Sequence, residues 1–314
     1  MFNSTGRYVL GCEVVTPTGM NLNVATAVSK ADLGLFDQYN IHGGVERFSF
    51  TKIEYTQSQD PFEKVCELTS IILDSLLLQM PRVLKPAPLM ISVPSSIPLL
   101  KMQKWLEEST YADFISLIEV FHVSGPQFLI QTLKALDKYD ALMCISLDSM
   151  VESLEQLIEQ QKVVSTYNPW GLIPSEGGAG LILGRRNIIE TLRLKPKAEI
   201  SYLDTEIETQ DRRGMFRLVQ RAAKKLASFG EPYTDMSNLR DHSEDYGFAL
   251  GAKAERFINP EEPTLINELW GTMGSGSTLA LVGFAAQYHQ GHHPASLLTF
   301  DPSGDKAFIQ LRAM

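Results

Sequence analysis

The stretch Phe121-His122-Val123-Ser124-Gly125-Pro126 joins a predicted strand to a predicted helix near the middle of the chain. The strand is predicted at 118–123, which is largely apolar, and the helix at 126–137, because proline suits the first turn of a helix. Residues 141–147 follow as an almost continuous apolar run, which is typical of a strand covered on both faces. This strand–helix–strand order predicts an α/β fold.

Strand and helix signals alternate outward from this junction in both directions. On its N-terminal side we predict strands and helices at 8–15, 21–31, 61–80, 88–93 and 99–108. On its C-terminal side we predict a helix at 150–161 and a strand at 178–183. A second set follows, with a strand at 198–203, a helix at 212–228, a polar loop at 231–244, a helix at 277–290 and strands at 295–300 and 306–311. The two sets predict two halves, residues 1–185 and 186–314.

Composition excludes several classes of protein. The 314 residues contain no apolar run long enough to span a bilayer, and the first seven contain no apolar signal core, so we expect a cytoplasmic chain that does not bind membranes. The formal charge of −9 disfavours nucleic acid, whose phosphates need clustered lysine and arginine. Cys12, Cys66 and Cys144 are widely spaced, which predicts three buried thiols and neither a disulfide nor a zinc site.

Three further segments carry a family resemblance. They are Leu10-Gly11-Cys12-Glu13-Val14-Val15-Thr16-Pro17-Thr18-Gly19, Ile173-Pro174-Ser175-Glu176-Gly177-Gly178-Ala179-Gly180-Leu181-Ile182-Leu183 and Gly271-Thr272-Met273-Gly274-Ser275-Gly276-Ser277. In this order they resemble the V-T-P-x-G, P-x-E-G-A-G and G-H-x-x-G-A-A-G segments of β-ketoacyl synthases in the thiolase superfamily. The resemblance implies a thiolase-like fold, with two similar α/β halves in an αβαβα layered arrangement, and a dimer. It also implies a relation to fatty acid or polyketide synthesis.

The resemblance also implies a site, and this chain departs from it at three positions. The family carries acyl groups on a cysteine at the junction of 121–126, where a thiolate at a helix N-terminus has a lowered pKa. Here His122 or Val123 stands in that place. The family's second histidine is replaced by Thr272, and its first, in an H-G-T-G-T segment, has no counterpart. His242 is the nearest candidate, and we interpret it as a solvated loop residue.

Two other residues at the vestigial site remain to be assigned. Ser124 is either a helix cap or a hydroxyl nucleophile activated by His122. Glu176 is retained from the family, and a carboxylate in such an apolar segment must be paired or hydrogen-bonded, so we interpret it as structural.

Two more patterns have a functional and a structural interpretation. His289, His292 and His293 have a spacing that suits a metal, but Gly291 interrupts the helix, so we favour a surface turn. Residues 274–277 suit either an anion site at a helix start or a close-packing turn, and we favour the turn. We therefore predict no cofactor and no metal.

With all three catalytic groups altered, the sequence predicts a catalytically inactive ketosynthase-like protein that binds a protein partner. The partner is a ketosynthase, as for a chain-length-factor subunit, an acyl carrier protein, or an effector or secretion component. The last option follows from a similarity to ketosynthase-like proteins encoded near type VI secretion effectors. The alternative is an active acyltransferase or β-ketoacyl synthase that uses a residue other than cysteine, such as Ser124. The stretch at 118–123 is apolar enough to pair across a dimer twofold.

Overall fold

The computed structural model describes residues 6–31, 36–40, 44–209 and 211–314. Part of the N-terminal stretch expected to lack a signal core, residues 1–5, lies outside these ranges. The strands are β1 Arg7–Val15, β2 Asp37–Tyr39, β3 Phe48–Phe50, β4 Ala87–Ser92, β5 Ile115–Phe121, β6 Ala141–Ser149, β7 Glu176–Arg185, β8 Ala198–Glu206, β9 Glu231–Thr234, β10 Thr264–Leu265, β11 Ala295–Phe300 and β12 Lys306–Ala313.

The helices lie between these strands. They are α1 Leu22–Lys30, α2 Pro61–Gln79, α3 Leu99–Glu108, α4 Gly125–Ala135, α5 Leu154–Glu159, α6 Arg186–Leu192, α7 Gly214–Ala223, α8 Arg240–Lys253, α9 Ile266–Trp270 and α10 Gly276–Tyr288. Local sequence sets several starts: the Asn21 side chain caps α1, and that of Asp60 caps α2, where Pro61 is the first residue. None of the helices in the described ranges is long and apolar enough to cross a membrane.

One strand order occurs twice. The sheet formed by the described residues runs β10-β9-β11-β12-β8-β1-β7-β6-β4-β5. The strands β2 and β3 form a separate pair. Within the large sheet, both halves follow the order third, second, fourth, fifth, first strand from the outer edge: β5-β4-β6-β7-β1 and β10-β9-β11-β12-β8. In both, the fifth strand is antiparallel to its two neighbours. The two sets meet where Arg7, Tyr8 and Val9 pair with Ile200, Glu199 and Ala198.

Three apolar clusters show how helices cover these strands. One lies under α2 and α3 on the outside of the N-terminal set and includes Ile72, Leu76 and Leu106. A second lies under α7 and α8 on the outside of the C-terminal set. The largest cluster surrounds α4 and α10 and contains side chains of both strand sets. Since α10 is buried from Gly276 to Ala286, it must lie between two layers.

The structure is therefore a five-layered αβαβα arrangement of two similar halves, which confirms the predicted fold class. The change from one strand set to the next falls between β7 and β8, close to the division expected at 185/186. That residues 1–185 and 186–314 are separate domains remains a prediction.

Some element predictions are wrong. Residues 231–244, expected to be a loop, contain strand β9 and the start of helix α8. The short β9 has little local strand signal, but it gains parallel partners on both sides, β10 and β11. The helix predicted at 212–228 is shorter, Gly214–Ala223, and the one predicted at 150–161 is reduced to Leu154–Glu159 after a short 3-10 turn.

Candidate functional site

The first turns of the two central helices meet at the junction that the sequence singles out. Strand β5 ends at Phe121, and Ser124 caps α4 by accepting a hydrogen bond from the Gln127 amide at 3.4 Å. Gly125 lies so close to α10 that a Cβ there would overlap Thr278 Oγ1. Both helices therefore direct the positive ends of their dipoles toward the same region.

A cavity of about 290 Å³ opens beside these two helix ends. Its walls come from the loops that follow β4, β5, β6 and β11 and from the turn before α10. The lining residues are Val93, Pro94, Ser95, His122, Val123, Ser124, Asp148, Met150, Gly274, Ser275, Asp301, Pro302 and Ser303. The C-terminal ends of neighbouring parallel strands are the usual position for a ligand site in an α/β sheet.

Two carboxylates of the chain itself occupy the helix ends at this cavity. Asp301 Oδ2 accepts a hydrogen bond from the Gly125 amide at 3.1 Å, and Asp148 Oδ2 accepts one from the Ser275 amide at 2.8 Å. Asp148 can approach so closely because Gly274, at φ +57°, has no Cβ, which would overlap the carboxylate. Burial raises the pKa of both carboxyls, whereas the amide hydrogen bonds oppose that rise by stabilising the charged form.

The remaining N–H groups of these first turns also have partners. In α4 the Gln127 amide donates to Ser124 Oγ and the Phe128 amide to the Ser124 carbonyl, while Pro126 has no N–H. In α10 the Gly276 amide donates to the Met273 carbonyl, and the next amide donates to the Gly274 carbonyl. The helix ends are thus satisfied within the chain.

The Ser124 hydroxyl is hydrogen-bonded to a carboxylate and not to a histidine ring. Its hydroxyl donates to Asp305 Oδ2 at 2.5 Å, and the Gln127 side-chain amide donates to the same oxygen at 2.7 Å. His122 Nε2 lies 2.8 Å from the Ile97 carbonyl, to which it donates its proton. Ser124 and His122 both line the cavity, but the hydrogen bonds of the Ser124 hydroxyl go to Asp305 and Gln127 and not to His122.

The other two candidate positions, Thr272 and Glu176, lie outside this cavity. Thr272 is buried, its main chain bonds to Ile173 and Ser175, and its hydroxyl accepts from Asn267 Nδ2 at 3.3 Å. Glu176 forms a buried ion pair with Lys64 at 2.5 Å.

Glu176 also accepts hydrogen bonds from the Ile53 amide at 2.5 Å and the Ser149 hydroxyl at 3.2 Å. The expectation that this carboxylate must be paired is confirmed.

Two interpretations of histidines are wrong. His242 does not lie in a solvated loop but is buried in α8, where its Nδ1 accepts from the Ser237 hydroxyl at 3.1 Å. Burial lowers its pKa to about 3. His289 is also buried, and its Nε2 donates to the His293 carbonyl at 2.7 Å, whereas His292 and His293 are exposed as expected. In both places tertiary packing covers a locally polar segment.

The structure confirms the predictions made for the cysteines and for residues 274–277. All three cysteines are buried and free. Residues 274–277 form a close-packing turn, because a Cβ on Gly276 would lie 3.0 Å from Gly178 Cα. The described ranges contain no cluster of three or more His, Cys, Asp or Glu side chains placed to hold a metal.

Sequence reasoning missed the three aspartates that define the site. Asp148 is the last but one residue of the buried strand β6, while Asp301 and Asp305 flank the turn between β11 and β12. An acidic residue at or just beyond the end of an apolar strand was the available signal. It did not reveal that each carboxylate meets a helix from elsewhere in the chain.

Comparison with known proteins identifies the fold. No family model matches the sequence, and no curated protein matches it. Among solved structures, a β-ketoacyl synthase from Burkholderia phymatum is similar with a TM-score of 0.70 at 13% identity, covering 99% of this chain and 100% of that one. A type II polyketide synthase acyl-carrier protein in complex with its ketosynthase gives a TM-score of 0.71 at 12% identity, with 99% and 100% covered.

A third similar structure contains a ketosynthase in complex with its chain length factor, from Xenorhabdus doucetiae. Its TM-score is 0.69 at 9% identity, covering 99% of this chain and 98% of that one. At these identities the likeness establishes the fold. This chain has the thiolase-like fold of the ketosynthases.

Proposed function

We propose that this protein does not catalyse acyl transfer and acts by binding a protein partner, as an accessory or adaptor on a ketosynthase-like scaffold. The observation that carries this proposal is the filling of both central helix ends by Asp148 and Asp301. In a condensing enzyme of this fold, the helix end at the junction activates a thiolate. Here the Gly125 amide at that helix end already donates to the Asp301 carboxylate, and the Ser275 amide at the start of α10 donates to Asp148.

The electrostatics of the cavity oppose thioester chemistry. An acyl oxyanion needs N–H donors, and loss of one such donor typically costs about 100- to 1000-fold in rate. Two carboxylates beside the same amides would also repel a developing oxyanion. At the position of the missing cysteine, the His122 ring contacts Ile97 and the Val123 side chain packs against the central core.

The rival function, acyl transfer through Ser124, lacks the serine–histidine contact that it would need. The serine proton is directed to a carboxylate and not to an imidazole. A hydroxyl needs a strong neighbouring base to become a nucleophile, and among the described residues no hydrogen bond joins Ser124 to His122.

The proposed partner is one of three kinds of protein. Two of the similar structures contain a ketosynthase with an acyl-carrier protein and a ketosynthase with a chain length factor. They support a ketosynthase or a carrier protein as the partner of this chain. A secretion effector, the third kind, rests on the sequence resemblance alone. The cytoplasmic location also remains a prediction.

We also propose a homodimer formed through strand β5. This strand lies at the edge of the sheet and pairs on one side with β4. Leu117 in it is 38% exposed, and an apolar edge of this kind needs a cover. In an antiparallel pair centred on Ile118, Glu119 would face Leu117 of the second copy, so like charges would not meet.

A thioester assay tests the loss of catalysis. The wild type, Ser124→Ala and His122→Ala are incubated with an acyl-coenzyme A, and free thiol and covalent protein adducts are measured. We expect all three to match the uncatalysed rate, with no acyl adduct by mass spectrometry. A saturable wild-type activity that disappears in Ser124→Ala would establish the rival function.

Light scattering at micromolar concentration tests the dimer. We expect the wild type to have twice the chain mass and Leu117→Lys to be monomeric. Leu100→Lys is the matched control, because Leu100 is 82% exposed on the outer helix α3. A monomeric wild type would refute the proposed interface.

A further inference from the structure

A second concave surface lies away from the central cavity and shares none of its lining residues. It is a groove of about 770 Å³ between strand β3, with Glu46 before it, and the chain from the end of α5 to Trp170. Strand β3 and this second wall are joined by main-chain bonds, such as that from the Ser49 amide to the Val164 carbonyl at 2.9 Å. The groove therefore has two connected walls.

Two large aromatic side chains are displayed at this groove. Tyr167 is 68% exposed and Trp170 is 59% exposed, and both line it. Exposure of this much aromatic surface on a single loop is typical of a binding site, since apolar surface is normally buried.

The loop that carries these rings is fixed by its own hydrogen bonds. The Asn168 amide donates to Ser165 Oγ at 3.0 Å, and the Trp170 amide donates to Asn168 Oδ1 at 3.1 Å. The Asn168 side-chain amide donates to the Gln161 carbonyl at 3.1 Å. The main chain that carries the rings is thus an ordered turn, so a ligand would pay little entropy to order that main chain.

The charge of the groove selects the kind of ligand. Among its described lining residues, the charged side chains are Glu46 and Glu159, and both are acidic. Aromatic faces attract cations, and carboxylates form charge-assisted hydrogen bonds with guanidinium or ammonium groups. An anionic ligand would be repelled by the same carboxylates and by the net charge of −9.

We propose that this groove docks an arginine- or lysine-bearing segment of a partner protein. Arginine fits best, because its planar guanidinium both stacks on aromatic rings and binds carboxylates through two hydrogen bonds. This inference goes beyond the proposed function, because it concerns a different surface and holds whether or not the central cavity is catalytic.

Fluorescence anisotropy with a labelled hexa-arginine peptide, at about 150 mM salt to screen loose attraction, tests the proposal. We expect saturable binding, weakened about threefold or more in Trp170→Ala and about two- to fivefold in Glu159→Gln. Glu108→Gln is the matched control, because it removes one exposed negative charge from α3, which does not line the groove. Its affinity should equal that of the wild type.

Several outcomes would overturn the proposal. The first is the absence of saturable binding, and the second is an unchanged affinity in Trp170→Ala and Glu159→Gln. The third is an equal loss of affinity in Glu108→Gln, because it would show only a general attraction of the peptide to an acidic protein. Equal binding of a labelled hexa-glutamate peptide would also overturn it. Competition by tetramethylammonium as strong as that by unlabelled hexa-arginine would replace the peptide with a small cation. Circular dichroism melting of each variant verifies that it is folded.

Discussion

Two buried groups behind the cavity, Asp235 and His242, are expected to change the stability of the protein with pH in opposite directions. Burial, with a further contribution from the neighbouring Asp301 carboxylate, raises the pKa of Asp235 from its usual 3.8 to about 7. Burial, followed by the Lys306 charge, lowers the pKa of His242 from its usual 6.5 to about 3. Each group is therefore more stable in its neutral form when the protein is folded.

The direction in which stability changes with pH follows from the number of protons that the folded and unfolded states bind. Between about pH 4 and 7 the folded protein holds a proton on Asp235 that the unfolded chain has released, so stability falls as pH rises through this window. Between about pH 3 and 6.5 the unfolded chain holds a proton on His242 that the folded protein lacks, so stability rises with pH. At ~1.4 kcal/mol per pKa unit, each effect amounts to ~4–5 kcal/mol across its window.

The variants Asp235→Asn and His242→Asn separate the two effects. Asn at 235 keeps an oxygen for the Phe300 amide, which donates to Asp235 Oδ1 at 2.7 Å, and Asn at 242 keeps an acceptor for Ser237. Relative to the wild type, Asp235→Asn should gain ~4 kcal/mol of stability between pH 4 and pH 7. As pH falls from 6.5 to 3, the stability of His242→Asn relative to the wild type should rise by a similar amount. Losing the ring that packs 5.1 Å from Phe300 adds a penalty that does not change with pH.

Urea titrations at half-unit pH intervals measure the free energy of unfolding for each protein. For each variant, the difference from the wild type in free energy of unfolding is followed as a function of pH. Any effect of the substitution that does not depend on pH then cancels. If the difference between Asp235→Asn and the wild type is the same at pH 4 and pH 7, Asp235 does not hold a proton in the folded state and the reasoning is wrong.

Three further outcomes are expected. Gly125→Ala places a Cβ onto Thr278 and should lower the free energy of unfolding by ~1–3 kcal/mol. Gly247→Ala is the control, because a Cβ at this position in helix α8 meets nothing within 4 Å. It should raise the free energy of unfolding by ~0.5–1 kcal/mol. Urea titration measures both, and effects of equal sign would contradict the packing argument. Glu176→Gln leaves Lys64, whose side chain is only 12% exposed, without a negatively charged partner and should cost ~3–5 kcal/mol, so an unchanged unfolding midpoint would refute the pairing. Burial raises the pKa of all three cysteine thiols to about 12, so a thiol reagent should label native protein far more slowly than unfolded chain, and rapid native labelling would disprove this.

The fold class could be predicted from the sequence because its elements have strong local patterns. Helix α3 begins and ends at the predicted residues, and α2 is fixed by its Asp60 cap and its first-turn proline. The cap role of Ser124 could also be predicted, because a serine before Gly-Pro at a helix start is a local signal. Local patterns in the sequence therefore determined the α/β class and the place of the junction between β5 and α4, whereas the αβαβα layering was implied by the resemblance to β-ketoacyl synthases.

Only the tertiary structure decided what that junction can do. Asp301 reaches the Gly125 amide across 176 positions of chain, and Asp148 reaches the Ser275 amide across 127. The same holds for His242, whose local surroundings are polar but whose side chain is covered by packing against Phe300. Hydrogen bonds and burial between distant segments depend on how the layers close on one another, and no local periodicity records that closure.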